Sequence, residues 1–225
     1  MMNFNWDKLI VALDLDTRKD IDKVIKSLSG KGVKFKIGSI AFTKFGPEFV
    51  RKLTAKKIDI FLDLKLYDIP NTMKETAGII TEMGCWAFTV HTKAGFEALS
   101  AVKEEVVSRS IGKKIRKPLI LGVTELTSSA AKVEQVLALA KVAQAAGLDA
   151  VVASSRETPA IKKAFGSALK IITPGIRGPG DCAGDQKRIT SALTAFKNGA
   201  DYIVVGRPII SKSNYLQAAK KVLSY

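Results

Sequence analysis

Two residues of opposite charge, Asp63 and Lys65, stand two positions apart in an aliphatic segment, and a second carboxylate, Asp68, follows three positions later. Residues two apart on a β-strand point to the same side, so Asp63 and Lys65 are predicted to lie together. A lysine flanked by carboxylates stays protonated, because opposite charges favour the ionised form. We therefore predict that Lys65 donates a proton and does not form a Schiff base, a role that requires an unprotonated amine.

Two further charged residues, Asp14 and Lys36, lie near the carboxyl ends of the aliphatic segments 9–15 and 33–38. In segments 9–15, 33–38 and 58–65 alternate positions are aliphatic, which predicts strands with one face packed against helices. The alternation turns the charged side chains to the opposite face. Charges inside a protein are costly unless they are paired, and a fold does not need them for stability. We predict a site formed by Asp14, Lys36, Asp63 and Lys65; a packed ion-pair network without a catalytic role is the alternative.

Short aliphatic segments alternate with longer amphipathic segments along the whole chain, which predicts an α/β protein with one (β/α)₈ TIM barrel spanning residues 1–225. Such barrels place their sites at the carboxyl ends of the strands. The predicted strands are 9–15, 33–38, 58–65, 87–91, 119–124, 150–153, 170–173 and 202–205. The predicted helices are 18–29, 46–55, 71–83, 94–108, 130–146, 156–165, 186–198 and 212–223.

Glycine-rich sequence follows the last two predicted strands. The loop that begins in segment 173–180 includes Gly175 and Arg177, and Gly206 and Arg207 follow the eighth strand. Barrel enzymes often bind phosphate with these two loops, and glycine exposes backbone N–H groups while arginine supplies a planar fork of donors. The two loops together predict a phosphate site; ordinary turn glycines are the alternative.

Two other polar positions carry weaker signals. Segment 122–128, at the end of the fifth predicted strand, has hydroxyl groups that could read a polar ring edge or cap the next helix. His91, at the end of the fourth strand, is the only histidine of the chain and cannot form a metal site alone. We predict a structural or supporting role for it. The sequence has no H-E-x-x-H, G-x-S-x-G or Walker pattern.

The net charge of +15 raises the question of an acidic partner, since basic proteins bind nucleic acid, anionic membranes or anionic metabolites. The sequence lacks a recognition-helix motif and an aromatic platform, and no apolar run approaches the roughly 20 residues of a membrane helix. Two cysteines do not make a disulfide framework and fit a reducing compartment. We expect a cytoplasmic protein that binds a small anionic molecule and neither nucleic acid nor a membrane.

The motifs together resemble the orotidine 5′-phosphate decarboxylase family, and the D-x-K-x-x-D-I-P-N-T pattern at 63–72 is the most specific of them. The resemblance covers the whole chain. The sequence departs from the family at 92–95, where small residues are commoner. The other matching segments, in order, are Val11-Ala12-Leu13-Asp14, Lys36-Ile37-Gly38, Leu126-Thr127-Ser128, Thr173-Pro174-Gly175-Ile176-Arg177, Gly184-Asp185-Gln186-Lys187-Arg188 and Val205-Gly206-Arg207-Pro208.

The resemblance implies a homodimer with shared active sites. Lys36, Asp63 and Lys65 would form an alternating charge array with the partner subunit's Asp68, and Lys65 would protonate the pyrimidine. The resemblance also implies that Asp14 and Lys36 contact the ribose and that Thr127 contacts the pyrimidine. Ile69, and Thr72 of the partner subunit, are further implied substrate contacts. The implied phosphate ligands are Gln186, Arg207, Arg177 and Gly206.

The implied activity is cofactor-free and metal-free conversion of orotidine 5′-monophosphate to uridine 5′-monophosphate in de novo pyrimidine biosynthesis. The alternative within the same barrel group is a magnesium-dependent lyase or decarboxylase acting on a sugar phosphate, which shares the D-x-K-x-x-D core. The segment Ile69-Pro70-Asn71-Thr72 after Asp68, and Thr127, favour the pyrimidine nucleotide.

Overall fold

The computed structural model describes residues 4–126, 131–178 and 189–225. Eight parallel strands pair in chain order, and β8 pairs with β1, so the sheet closes into a barrel and the predicted fold class is confirmed. The strands are β1 Leu9–Ala12, β2 Lys34–Gly38, β3 Ile60–Leu66, β4 Ala87–His91, β5 Leu119–Val123, β6 Ala150–Val152, β7 Lys170–Thr173 and β8 Tyr202–Val205.

Helices connect the strands and form the outer layer. The first helix shows why they form: Thr17 accepts the backbone N–H of Asp20 as an N-cap, and the helix buries Ile21, Val24, Ile25 and Leu28 at helical spacing. The helices are α1 Arg18–Leu28, α2 Ser39–Ala55, α3 Pro70–Glu82, α4 Gly95–Lys113, α5 Val133–Ala145, α6 Thr158–Phe165, α7 Ala192–Lys197, α8 Arg207–Ile210 and α9 Tyr215–Leu223, with 3₁₀-helices at Trp6–Lys8 and Thr92–Ala94. No helix in the described ranges has the length and apolar character of a membrane span.

The alternation along the strands separates two apolar cores; the outer one, packed against the helices, was predicted, and the inner one was not. Leu9, Val11 and Leu13 of the first strand segment pack with the helices in the outer core. Ile10 and Ala12 belong instead to the core inside the barrel. The other members of this inner core are Phe61, Trp86, Ala87, Leu121, Ala150, Ile172 and Val204.

Lys34 closes the amino-terminal end of the barrel. Its side chain donates to the carbonyl oxygens of Asp7 at 2.8 Å and Gly32 at 3.0 Å, and its Nζ lies 5.3 Å from the Trp86 ring centroid. Burial lowers the pKa of Lys34, against the opposing charges of nearby carboxylates. The lumen is therefore filled at this end, and space for a ligand lies at the other.

Several predicted boundaries are wrong by a few residues. β1 ends at Ala12 instead of residue 15, and β3 spans Ile60–Leu66 instead of 58–65. The helix predicted at 46–55 is the second part of α2, which begins at Ser39 and kinks at Gly46 (φ 72°), just before Pro47. The short helix α8 was not predicted. Of the helix predicted at 186–198, residues 186–188 lie outside the described residues, and α7 begins at Ala192.

Candidate active site

A cavity of about 490 Å³ opens at the carboxyl ends of the strands. Strands from both halves of the barrel contribute to its wall, and charged side chains are part of its lining. The lining residues are Ala12, Asp14, Lys36, Phe61, Asp63, Lys65, Val123, Glu125, Leu126, Val152, Pro174, Gly175, Arg177, Val204, Gly206, Arg207 and Ile210.

Four of the lining residues form a row of alternating charge. Lys36 Nζ lies 3.6 Å from Asp14 Oδ1 and 3.6 Å from Asp63 Oδ2. Lys65 Nζ lies 2.9 Å from the other oxygen of Asp63. The side chains of Lys36 and Asp63 are only 12% and 14% exposed, so the row is a partly desolvated network. The structure thus brings together the four charges that the strand alternation placed in the lumen.

Asp63 is the centre of this row, because it contacts two ammonium groups. Burial acts to raise the pKa of Asp63, but the charges of Lys36 and Lys65 and the hydrogen bonds from Lys65 and Thr89 lower it below its ordinary value. Asp63 is therefore ionised at neutral pH. An ionised Asp63 holds the Lys65 ammonium at a fixed place in the cavity.

Lys65 occupies an unusual backbone conformation. Its φ is +53°, in the left-handed region that residues other than glycine rarely adopt. The pairing of β3 with β4 shifts register between Leu62 and Leu66, so the β3 backbone bulges around Lys65. Bulges re-aim side chains beside active sites, and strained backbone persists only where its surroundings hold it.

Thr89 of β4 is the group that holds this bulge, and sequence reasoning assigned it no role. Its Oγ1 accepts the backbone N–H of Lys65 at 2.8 Å and donates to Asp63 Oδ1 at 3.0 Å. Thr89 is 1% exposed. The signal that could have found it is parity, since Thr89 and His91 alternate along one strand, and a hydroxyl two residues before the strand end faces the lumen.

We expect Thr89→Val to lower the free energy of unfolding by about 1–3 kcal/mol, because the isosteric side chain leaves the Lys65 N–H without its acceptor and removes a donor from Asp63. Chemical denaturation of the purified variant measures this. Thr89→Ser is the matched control, since it keeps the hydroxyl and loses one methyl group. A Thr89→Val protein no less stable than Thr89→Ser would show that the hydroxyl does not hold the bulge.

Gly38 leaves room for the charge row. A methyl group at this position would lie 2.9 Å from Lys36 Nζ and 3.4 Å from Asp14 Oδ1. Such a contact displaces the end of the lysine side chain. Gly38 ends β2, so the absence of a side chain there lets Lys36 reach both carboxylates.

The opposite wall of the cavity carries the predicted phosphate residues. Gly175 and Arg177 follow β7, and Gly206 and Arg207 follow β8. Arg177 is 8% exposed, and its Nη1 donates to the Ile176 carbonyl at 2.7 Å, which fixes the guanidinium at the cavity wall. Two guanidinium groups across the lumen from Lys65 suit an elongated anion. Two other predicted ligands, Thr127 and Gln186, lie outside the described residues.

Three other predicted site residues, Asp68, Ile69 and Thr72, do not line the cavity of their own chain. The Asp68 carboxylate accepts the backbone N–H of Ile69 at 2.7 Å, and Thr72 lies in the first turn of α3. All three are exposed at the barrel mouth, and Ile69 is 66% exposed. Tyr67 beside them is 62% exposed. The fold therefore places this segment outward from the cavity that holds Asp63 and Lys65.

His91 lies at the edge of the site. Its ring stands 5.4 Å from the Tyr67 ring, and its Nδ1 accepts the backbone N–H of Lys93 at 3.3 Å. Burial and then the charges of Lys93 and Lys65 lower the pKa of His91, against the opposing effect of Glu125. His91 is therefore neutral at pH 7, and it is absent from the cavity lining formed by the described residues.

Metal-binding clusters and reactive thiols are the remaining groups to consider among the described residues. No three His, Cys, Asp or Glu side chains of the described residues cluster in a way that could hold a metal ion. Cys85 is buried, and burial raises the pKa of its thiol to about 12, so it is not a nucleophile at neutral pH. The charge row, Glu125 and the two arginines are thus the charged groups that line the described cavity.

Comparison with known families matches residues 7–222 to the orotidine 5′-phosphate decarboxylase / HUMPS family. The chain belongs to this family. The orotidine 5′-phosphate decarboxylase of Pseudoalteromonas translucida is 41% identical to this chain, and the match covers 92% of both chains. That of Psychromonas ingrahamii is 38% identical over 96% of this chain and 95% of the relative.

A solved structure of the orotidine 5′-phosphate decarboxylase / HUMPS family agrees with the fold. The crystal structure of orotidine 5′-phosphate decarboxylase from Lactobacillus acidophilus superposes with a TM-score of 0.82 at 32% identity, covering 96% of this chain and 97% of that one. The resemblance predicted from the motifs is therefore confirmed at the level of the family and over nearly the whole chain.

Proposed function

We propose that this chain is an orotidine 5′-phosphate decarboxylase, a carboxy-lyase that converts orotidine 5′-monophosphate to uridine 5′-monophosphate and carbon dioxide in de novo pyrimidine biosynthesis. One observation carries the proposal: Lys65 is held 2.9 Å from Asp63 in a lumen whose opposite wall presents Arg177 and Arg207. The names of the relatives support this activity over that of a magnesium-dependent sugar-phosphate lyase.

The chemistry needs a fixed positive charge. When the bond from ring carbon 6 to the carboxylate breaks, its electron pair stays on carbon 6, in an orbital with no conjugated sink. A preorganised ammonium stabilises this charge without reorganising during the reaction. Lys65 then transfers a proton from Nζ to carbon 6, and the amine regains a proton from water. Asp63 and Lys36 hold the ammonium in place before the substrate binds.

The other wall binds the part of the substrate that does not react. Asp14, Lys36, Arg177, Gly206 and Arg207 line the cavity. In this proposal Asp14 and Lys36 hold the ribose hydroxyls, and Arg177, Arg207 and the Gly206 backbone hold the phosphate together with Gln186. Thr127 reads the pyrimidine ring. Binding energy at the phosphate positions the ring at Lys65, so it supports turnover as well as affinity. No step requires a cofactor or a metal ion.

The working protein is proposed to be a cytoplasmic, single-domain enzyme that forms a homodimer with shared sites. Asp68, Ile69 and Thr72 are exposed beside the cavity mouth and do not line the cavity of their own chain. A second copy packed on this segment would cover Tyr67 and Ile69 and bring the partner subunit's Asp68 to Lys65. In a two-fold dimer the same exchange completes both sites.

Mixing two inactive variants tests the shared site. Lys65→Ala and Asp68→Ala are each expected to be inactive, since every site in either homodimer lacks one group. After subunit exchange, a mixed dimer has one site with both defects and one with none. An equal mixture should regain roughly a quarter of the wild-type activity, because half of the dimers are mixed and each has one intact site. A mixture that stays inactive although the subunits exchange would place Asp68 in its own chain's site.

The activity itself is tested by the loss of orotate absorbance from orotidine 5′-monophosphate with a chelator present. We expect full activity after metal removal, and no release of a product from hexulose or keto-gulonate phosphates. Activity that disappears with the chelator and returns with magnesium would favour the sugar-phosphate lyase. Lys65→Ala under the same conditions controls for a contaminating decarboxylase.

A further inference from the structure

We propose that Lys93 is a positioning residue that neutralises the Glu125 carboxylate at the cavity wall and so keeps an uncompensated negative charge away from the anionic substrate. This inference rests on the proposed function, since the substrate carries a phosphate and a carboxylate. It assigns a role to an ion pair outside the Asp14–Lys36–Asp63–Lys65 row.

The pair joins two neighbouring loops at the mouth of the barrel. Glu125 follows β5 and lines the cavity, and its side chain is 16% exposed. Lys93 lies in the 3₁₀-helix Thr92–Ala94 after β4, and its side chain is 46% exposed. Lys93 Nζ lies 2.8 Å from Glu125 Oε1. A carboxylate this far from solvent needs a partner to remain charged at low cost.

The backbone on both sides of the pair is held by other contacts. Buried Thr92 donates its hydroxyl to the Val123 carbonyl at 2.8 Å, which fastens the 3₁₀-helix to the end of β5. Thr124 donates its hydroxyl to the Val152 carbonyl at 3.0 Å, which fastens the start of the Glu125 loop to β6. Each loop therefore has an anchor to the barrel other than the ion pair, which leaves an electrostatic role for the pair.

The charges of Lys93, Glu125 and Lys65 act on the mouth of the cavity. Lys93 Nζ contacts Glu125 Oε1 at 2.8 Å, and Lys93, Glu125 and Lys65 each act on the pKa of His91. Glu125 and Lys65 also line the same cavity. If Lys93 loses its charge, Glu125 adds an uncompensated negative charge to the cavity wall that receives the anionic substrate. Removing both charges avoids this, which predicts a strongly non-additive pair of substitutions.

Four full-length variants separate this electrostatic role from a mechanical one. We expect Lys93→Met to lower kcat/KM for orotidine 5′-monophosphate by about tenfold, because the uncompensated Glu125 carboxylate repels the anionic substrate. Glu125→Gln and the double variant Lys93→Met/Glu125→Gln should stay within about twofold of wild type. Lys93→Arg, which keeps the charge, should behave as wild type. Uridine 5′-monophosphate, which lacks the carboxylate, should lose less affinity for Lys93→Met than the substrate loses in kcat/KM.

Thermal melting of each variant checks folding, and Lys93→Gln replaces Lys93→Met if that variant melts early. The proposal would be overturned if Glu125→Gln lowered kcat/KM as much as Lys93→Met and the double variant showed no recovery. That result would mean that the ion pair braces the two loops. Wild-type rates in Lys93→Met would overturn the proposal as well. A wild-type enzyme without decarboxylase activity would instead contradict the proposed function, so the two failures are distinguishable. Recovery of kcat/KM in the double variant is the result that supports the proposal.

Discussion

Lys65→Ala is expected to abolish decarboxylation, with a fall in kcat of about 10⁴-fold or more, because it removes both the proton donor and the fixed positive charge at carbon 6. The barrel should stay folded. Asp63 keeps Lys36 at 3.6 Å and the Thr89 hydroxyl at 3.0 Å, so the carboxylate is not left unpaired. Steady-state rates, with unfolding midpoints measured on the same sample, test both statements.

The matched control is Lys52→Ala, which removes an exposed lysine from the outer helix α2 and should leave kcat unchanged. Uridine 5′-monophosphate should still bind to Lys65→Ala, since the phosphate and ribose contacts are intact. Near-normal turnover in Lys65→Ala would overturn the assignment of the proton donor. Loss of turnover together with early unfolding would make Lys65 a structural residue.

Strand parity predicted the charges that face the lumen, although Asp14 lies beyond the end of β1 and Lys65 lies in a bulge of β3. Asp14, Lys36 and Asp63 alternate with aliphatic residues that pack on helices, and a period of two leaves only one arrangement once a parallel barrel is assumed. The loops after the seventh and eighth strands were predicted by the same logic, and Arg177 and Arg207 line the cavity. The roles of Thr127 and Gln186 stay predictions, because both lie outside the described residues.

The contacts that set the geometry of the site could not be predicted, because they join residues far apart in the sequence. Parity could indicate that Thr89 faces the lumen, but not which residue it contacts. Thr89 reaches Asp63 across 26 positions of sequence. Lys93 meets Glu125 only when β4 and β5 pair in their observed register. The left-handed conformation of Lys65 depends on the bulge between β3 and β4, and an ordinary strand pattern gives no sign of it. Local sequence patterns predict on which face of a strand a side chain lies, whereas strand register and bulges depend on pairing between distant segments.

Arg207→Ala is expected to raise the KM for orotidine 5′-monophosphate by about 100-fold, since a charge-assisted hydrogen bond to phosphate is worth roughly 1.5–3 kcal/mol. Arg207 is exposed at the start of α8 and lines the cavity opposite Lys65. A smaller fall in kcat should accompany it, because binding energy at the phosphate also positions the reacting ring. Rates over a wide substrate range separate the two effects.

The decisive comparison uses ligands with and without the phosphate. Uridine 5′-monophosphate should bind Arg207→Ala about 100-fold more weakly than wild type, whereas uridine should bind both proteins alike. Arg156→Ala is the matched control, because this exposed arginine lines a separate small pocket and not the lumen, and it should change neither affinity. If the wild-type protein binds uridine as tightly as the nucleotide, the phosphate contributes nothing, and Arg207 has no phosphate to hold. If Arg207→Ala weakens both ligands equally, the arginine shapes the cavity and does not read the phosphate.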